Sequence, residues 1–596
     1  MSGSQPQRTE GSRSARFSPL RRFRDHRWLL AAMLLAAMFE AIVIARSPLI
    51  SRDGVKFIQL ARQLPSGVSE TLRTHDQHPG YPAMILAVRQ LLPADDPGDA
   101  TARWIQAARL SAALCGVLIV AVIWAIARVL FRDPVPDVAA IVAATLPVLR
   151  QNAADALSDS PHLLLWLTAC LLACVAVRRW QVSWFAAAGL LSGLAYWVRP
   201  EGLSVALVLC AAAPLVAWWT RSASLPRLAL CVTATAVVAV ATIAPYSLLS
   251  SKLLTSKQDP MAKAEPVLPY VVRKAQADAN SGAALEASTT ETTARPTPHV
   301  AMLAVVMRTL GESVMELAAE LMKALHYVYV PIFLFGCVFV VRREPPLAPI
   351  TMINLLGLSH AALLLYVYFM SGYISHRHVL PIIALAIPAC AVGLTHLGVW
   401  LADRLSVTPR RGVVIAALIC VAIVTPRALR QLNYSYNHLL EAVRWIDAHT
   451  PPGAVVASNT SLVPFYAGRS GMHLNQSAPT VEEAIRADAE NRCDYVVLDE
   501  LTRDFNPSWR NQLDARFTLV KEFAPPRGAG HQTRMTIYEA LPPAPKTSKV
   551  PLGSTVSKLD NTVSKDDAVD GTPTAHSAVR RLPLTDASVQ AVSASL

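Results

Sequence analysis

Trp28-Leu29-Leu30-Ala31-Ala32-Met33-Leu34-Leu35-Ala36-Ala37-Met38-Phe39-Glu40-Ala41-Ile42-Val43-Ile44-Ala45 is an apolar run broken only by Glu40. It ends in Arg46-Ser47-Pro48-Leu49-Ile50-Ser51-Arg52-Asp53-Gly54. A helix crossing a bilayer needs about 20 predominantly apolar residues, so the run reads as a membrane span. Arg21, Arg22, Arg24 and Arg27 precede it, and no small-x-small cleavage site follows. The run is therefore expected to be a signal anchor rather than a removable leader. Similar runs recur along the chain. About eleven spans are expected, near 28–45, 106–130, 138–150, 161–177, 184–198, 203–219, 228–249, 326–341, 348–370, 379–401 and 412–426.

The whole composition agrees. Of the 596 residues, 53% are hydrophobic and only 16% charged, against about 25% charged in an ordinary soluble protein. Mean hydropathy is +0.35. The runs are continuous rather than alternating, which excludes a β-barrel and gives a polytopic α-helical membrane protein as the fold class. The formal net charge of +13 sits mostly in the N-terminal tail and short loops. That is a topogenic bias, and it argues against nucleic acid as a partner. Eight of the nine cysteines lie in apolar runs, a pattern of neither a disulfide framework nor a metal site.

Charge also orients the chain. Arg132, Arg178-Arg179, Arg221 with Arg227, Arg342-Arg343, and Arg404 with Arg410 and Arg411 all fall on the side of the basic tail 1–27. Lys and Arg mark cytoplasmic loops, so the N-terminus is expected inside and everything after Pro426 outside. The expected location is the plasma (inner) membrane, with three outer segments. The loop 46–105 starts with an amphipathic stretch, Val55 to Leu64, that suits a helix lying at the interface. The loop 250–325 has a mobile-looking middle, and its end, Val300 to Leu325, suits a second interfacial helix. Residues 436–541 read as a small α/β domain: a helix over Tyr436–His449, strands over Ala454–Ser458 and Asp494–Leu498, a helix over Thr480–Glu490, and strands over Phe517–Phe523 and Met535–Tyr538. Acceptor recognition is the role expected of it. Residues 542–596, rich in Ser, Thr, Ala, Pro and charge, read as a disordered tail.

Five polar clusters fall on the outer side. Asp53 can cap the helix that follows it, or act as a general base on an acceptor hydroxyl or amine. In His75-Asp76-Gln77-His78-Pro79 the prolines and the following Gly80 fix a turn, while His78 can bind a phosphate or sugar hydroxyl with help from His75 or Asp76. Asp159, ahead of Ser160-Pro161, suits a helix start or a second carboxylate facing Asp53. In Arg199-Pro200-Glu201-Gly202 the two charges can pair, or Arg199 can meet a lipid phosphate. His376-Arg377-His378 places three potentially cationic groups at a membrane mouth, which suits a phosphate or pyrophosphate. Acids near a reacting group and cations near a departing phosphate are what glycosyl transfer from a lipid phosphate requires.

In this order the clusters resemble the GT-C glycosyltransferases, in particular the branch holding the protein O-mannosyltransferases and the bacterial aminoarabinose transferase of lipid A. The resemblance covers roughly residues 28–430. It rests on Asp53 soon after the first span, His78-Pro79, Asp159, Arg199-Pro200-Glu201-Gly202, and Arg377 to Pro381, which is similar to an Arg-Tyr-x-x-Pro element. It implies an enzyme with a polyprenyl-phosphate-linked sugar as donor, and inverting transfer of a hexosyl or pentosyl group on the extracytoplasmic face. The acceptor is a lipid, a polysaccharide or a protein. By the same resemblance Asp53 is the essential acid, and His78 stands where the aminoarabinose transferase has a phosphate-binding Lys. The Asp-Glu pair of the eukaryotic mannosyltransferases is absent, because Gly54 follows Asp53. Some members use a divalent cation such as Mg or Mn, and Asp53 and Asp159 can share one, although nothing in the sequence requires it. The competing reading is a transporter or lipid flippase, for which inverted repeats and ionisable groups at mid-membrane are expected. Neither is evident, Glu40 apart.

Overall fold

A computed structural model describes residues 26–93, 100–251, 270, 298–342, 346–433, 437–474, 493–499, 508–513, 517–523 and 534–541. The expected basic tail before His26, the middle of the loop 250–325, the expected helix Thr480–Glu490 and the tail 542–596 lie outside the described residues.

The chain up to Leu541 is one compact unit. Its helices are α1 (Arg27–Arg46), α2 (Arg52–Gln63), α3 (Val68–Thr74), α4 (Gly80–Leu91), α5 (Ala100–Leu130), α6 (Val135–Thr145), α7 (Pro147–Ala154), α8 (Asp159–Arg179), α9 (Val182–Val198), α10 (Ser204–Thr220) and α11 (Leu225–Ser250). After these come α12 (Pro298–Ala324), α13 (Tyr329–Arg342), α14 (Leu347–Ser371), α15 (Leu380–Leu405) and α16 (Pro409–Ala428). Among the described residues, eight helices are long and apolar enough to cross a membrane. A ninth span is possible from the end of α12 with α13, although these meet at 103°.

α6 and α9 account for the rest of the expected eleven, and both are short. Eleven residues of α6 rise only about 16 Å, roughly half a hydrocarbon core. The expected single span at 138–150 is divided at Leu146-Pro147: Leu146 turns extended and Pro147 opens α7. The break brings Arg150 into the bundle, where it is fully buried and ion-paired with Glu40 of α1. Its Nη2 also donates to the Gly116 carbonyl of α5 at 3.2 Å. Gly116 is required there, because a Cβ at this position would run into Glu40 and Ala153. The acid in the first span is thus explained by a cation that a proline break delivers to it.

The C-terminal module contains α17 (Asn437–His449), α18 (Leu462–Tyr466) and α19 (Ser508–Leu513). Its strands are β1 (Val455–Ser458), β2 (Ser470–His473), β3 (Tyr495–Asp499), β4 (Phe517–Phe523) and β5 (Met535–Ala540). The sheet order is β2-β1-β3-β5-β4. β2, β1 and β3 are parallel, and β5 is antiparallel to both β3 and β4. Four strands stand where the sequence places them. β2, Ser-Gly-Met-His, carries no β-branched residue, so propensity gives no sign of it.

One expectation needs correcting. The apolar face of α2 (Val55, Phe57, Ile58 and Ala61) does not lie on a membrane surface. It is buried in one core with Leu439, Ala442 and Ile446 of α17, Leu462 and Val463 of α18, and Val456, Val497 and Ile537 of the sheet. The 3.6-residue pattern correctly signals an amphipathic helix, but periodicity does not say whether lipid or protein covers its face.

The Glu40–Arg150 pair yields a stability prediction. Glu40→Gln leaves Arg150 as a buried cation without a counter-ion and is expected to cost about 3–5 kcal/mol. Glu40→Leu combined with Arg150→Met should recover most of that loss. Thermal unfolding of the detergent-solubilised variants decides the matter, and a single mutant as stable as wild type would refute it.

Candidate active site

Asp53 lies in the first turn of α2, but it is not the cap. Ser51 takes the cap position with an extended backbone, and its Oγ accepts the Gly54 N–H at 3.3 Å. The capping role that Asp53 could have filled is therefore taken, and its carboxylate is left for other partners. Gly54 allows the helix to approach the loop ahead of α8: a Cβ at 54 would stand 2.9 Å from the Ala156 carbonyl oxygen and 3.0 Å from its Cβ. No side chain, acidic or otherwise, fits directly after Asp53.

The same loop holds the start of α2. Asp155 Oδ1 accepts the Ser51 N–H at 3.0 Å and the Ala156 N–H at 2.8 Å. Burial pushes the Asp155 carboxyl upward, and these two N–H groups pull against that shift. Four residues on, Asp159 is the first residue of α8, with a side chain only 1% exposed. Its Oδ1 accepts from Arg199 Nη1 at 2.5 Å. Its Oδ2 accepts from Arg377 Nε at 3.0 Å and Nη2 at 2.8 Å. The remaining edge of Arg377 reaches Asp53, with Nη1 donating to Oδ2 at 3.0 Å. Sequence reading expected two carboxylates facing each other; the structure places a guanidinium between them.

Arg377 and Arg199 are firmly charged. Burial opposes the charge on Arg377, but Asp159 and Asp53 outweigh it and raise its pKa. Arg199 shows the same balance: burial lowers, Glu201 and Asp159 raise, and the net direction is up. Arg199 Nε lies 3.6 Å from Glu201 Oε2, an ion pair without hydrogen-bond geometry. Arg199 and Arg377 keep 22% and 27% of their side chains exposed and line a cavity of about 50 Å³ with Asp159, Glu201, His162, His360, His378 and Pro381. Asp53, 44% exposed, stands beside it through Arg377.

The expected histidines divide. His378 lines the cavity, and its Nδ1 accepts the Ser375 N–H at 3.3 Å. Burial and then Arg199 lower its pKa, which disfavours the charged ring. His376 is exposed and does not line the cavity. His75 closes α3, with Nδ1 3.0 Å from the Thr71 carbonyl oxygen and 3.2 Å from Thr74 Oγ1. Asp76 follows it, half-buried, and neither lines the cavity. His78 is buried, stacked on Tyr246 at 5.0 Å and edge-on to Tyr196 at 5.2 Å. Burial, only partly offset by Glu201, lowers its pKa to about 4. His78 is thus a ring in an aromatic cage with its charged form disfavoured, unlike the Lys that the resemblance puts at this place.

Two cavity residues escaped the sequence reading. His162 lies one turn after Asp159 on the same helix face, and its buried Nε2 has no hydrogen-bond partner. His360, in the middle of α14, places Nε2 3.1 Å from the His378 carbonyl oxygen and leaves a buried Nδ1 without a partner. An ionisable residue deep in an apolar run is itself a functional signal, so His360 was legible in principle. As for a metal, both oxygens of Asp159 and Oδ2 of Asp53 are engaged by guanidinium groups, which does not suit a shared divalent ion. No group of three His, Cys, Asp or Glu among the described residues is placed to hold one.

Residues 102–247 match the model of the family described as Dolichyl-phosphate-mannose-protein mannosyltransferase. No curated protein sequence matches the chain. Among solved structures, ArnT from Cupriavidus metallidurans bound to undecaprenyl phosphate superposes with a TM-score of 0.55 at 12% identity, covering 86% of this chain and 97% of that one. Its apo form gives 0.55 at 13% identity over the same shares. The Archaeoglobus fulgidus oligosaccharyltransferase in complex with Zn and sulfate gives 0.52 at 14% identity, covering 82% of this chain and 71% of that one. At such low identity it is the architecture that is shared, and the chain accordingly has the GT-C fold: an ArnT-like helical bundle with a small C-terminal sheet domain.

Proposed function

We propose that this protein is a membrane glycosyltransferase that moves a sugar from a polyprenyl-phosphate donor to an envelope acceptor, with Asp53 as general base. The observation that carries this reading is the Arg377 bridge from Asp53 to Asp159, with Arg199 in the same cavity. A partly exposed carboxylate and two guanidinium groups thus stand within one small site. The ArnT structure with undecaprenyl phosphate supports a lipid phosphate as the donor's leaving group.

The chemistry follows from the charges. Asp53 takes the proton of the acceptor hydroxyl or amine, and the acceptor atom attacks the anomeric carbon. The bond from that carbon to the phosphate oxygen breaks, and polyprenyl phosphate leaves with the electron pair. Attack opposite the leaving group inverts the anomeric centre. Arg199 and the unused N–H groups of Arg377 stabilise the charge growing on the phosphate, a role in which preorganised donors act most strongly. His360 Nδ1 and His162 Nε2 offer unsatisfied polar atoms to sugar hydroxyls. Arg377, between the carboxylates, fills the place that a shared divalent cation would take, so no step here runs through a metal.

The extracytoplasmic face is the proposed side. The site joins the starts of α2, α8 and α15 to the end of α9. Arg132, Arg178, Arg179, Arg221, Arg227, Arg404, Arg410 and Arg411 sit at the opposite helix ends. By the positive-inside rule those ends are cytoplasmic.

Two substitutions test the chemistry. Asp53→Asn is expected to reduce release of polyprenyl phosphate by about 10²–10⁴-fold. The assay is mass spectrometry of purified protein in lipid, with a panel of polyprenyl-phosphate sugars and an envelope extract as acceptor. Equal release by variant and wild type would remove Asp53 from the mechanism. Arg377→Lys keeps a charge but not the planar fork that spans two carboxylates, so turnover should fall about 100-fold. Turnover within about twofold of wild type would show that charge alone suffices, against the requirement for a fork.

A further inference from the structure

Resting on the reading of Asp53 as the base, we propose that the C-terminal sheet domain positions that base: Tyr466 and Asp499 hold the segment that carries Asp53, and neither touches the reacting atoms.

Residues 47–51 form no helix or strand, so their backbone groups must find partners elsewhere. Arg109 Nη2 donates to the carbonyl oxygens of Ser47 and Leu49 at 2.5 and 3.0 Å. Asn433 Nδ2 donates to the Leu49 carbonyl at 3.2 Å, and the Leu432 N–H to Ser47 Oγ at 2.9 Å. From the sheet domain, Tyr466 Oη accepts the Ile50 N–H at 2.8 Å and approaches the Pro48 carbonyl oxygen at 3.4 Å. One phenol thus fixes the backbone three residues ahead of Asp53.

The second hold is on Arg52, the residue just before Asp53. Its Nη2 lies 3.5 Å from Oδ2 of Asp499, which is fully buried at the end of β3. Asp499 is itself fixed by Asn459: Asn459 Nδ2 donates to its carbonyl oxygen and Asn459 Oδ1 accepts its N–H, each at 2.8 Å. His438 of α17 places Nε2 3.6 Å from its Oδ1. A buried carboxylate set so rigidly is a fixed anchor for the guanidinium. Meanwhile the apolar face of α2 shares its core with α17, α18 and the sheet. Beside the holds from Arg109, Asp155 and Asn433, the sheet domain thus takes one backbone N–H, one charge and part of the apolar face of the Asp53 segment. Catalytic groups require placement of this order, because an error of about 1 Å can cost roughly 100-fold in rate.

The test uses the full chain in lipid vesicles. Tyr466→Phe keeps the ring and removes only the hydroxyl; Asp499→Asn removes the charge, and Asp499→Glu restores it. Hydrogen–deuterium exchange should rise at residues 50–57 in Tyr466→Phe and Asp499→Asn, without a general rise across α5 and α8. With undecaprenyl-phosphate-linked pentoses and hexoses as donors, kcat should fall about 10- to 100-fold while KM for the donor stays within about twofold. Asp499→Glu should recover part of kcat. Unchanged exchange at 50–57 overturns the proposal, as does unchanged kcat in a variant whose exchange has risen. If wild type releases no lipid phosphate from any donor, the glycosyltransferase reading fails, and the exchange arm still decides whether the sheet domain holds this segment.

Discussion

Arg377 shared between Asp53 and Asp159 is the interaction on which the rest of the site depends. It draws together the first turn of α2, the first residue of α8 and the turn before α15. Asp159 is buried and singly charged, and it tolerates that position because Arg199 and Arg377 both donate to it. A buried carboxylate without such partners would shed its charge rather than keep it. Removing either arginine would therefore disturb the other acids as well as lose its own contacts. The site is a network of alternating charge, and its parts are not separable.

Much of this was legible in the residues. The apolar runs gave the bundle, and Asp53, Asp159, Arg199, Glu201, Arg377 and His378, all expected at one end of it, do converge. What remained hidden depends on which residue meets which. Nothing local says that Glu40 finds Arg150, since that pairing needs the break at Leu146-Pro147. The side-chain period of α2 shows a buried face but not its partners, some of which lie almost 400 residues downstream in the sheet module. The aromatic surroundings of His78 were not legible either, because they come from α9 and α11, remote in sequence.

Gly54 shows how one small residue separates this chain from similar ones. The close packing of α2 on Ala156 leaves no volume for a side chain after Asp53. The acidic neighbour found in the eukaryotic mannosyltransferases is excluded here by sterics, and the contact it would disturb is the one that seats α2 against the Asp155 loop.

The hold on Ile50 by Tyr466 spans 416 residues of chain. During synthesis the first span and the Asp53 segment are complete long before the sheet module exists, at rates of roughly 5–20 residues per second. Through that interval α2 can pack on Tyr81 and Ile85 of α4 and on α5, but it lacks the part of its core that α17, α18 and the sheet supply, and the backbone of residues 47–51 lacks several of its final bonds. Contacts of such long sequence separation form late. The surroundings of Asp53 are thereby completed last, so a chain cut short before the sheet module lacks the contacts of Tyr466 to Ile50 and of Asp499 to Arg52.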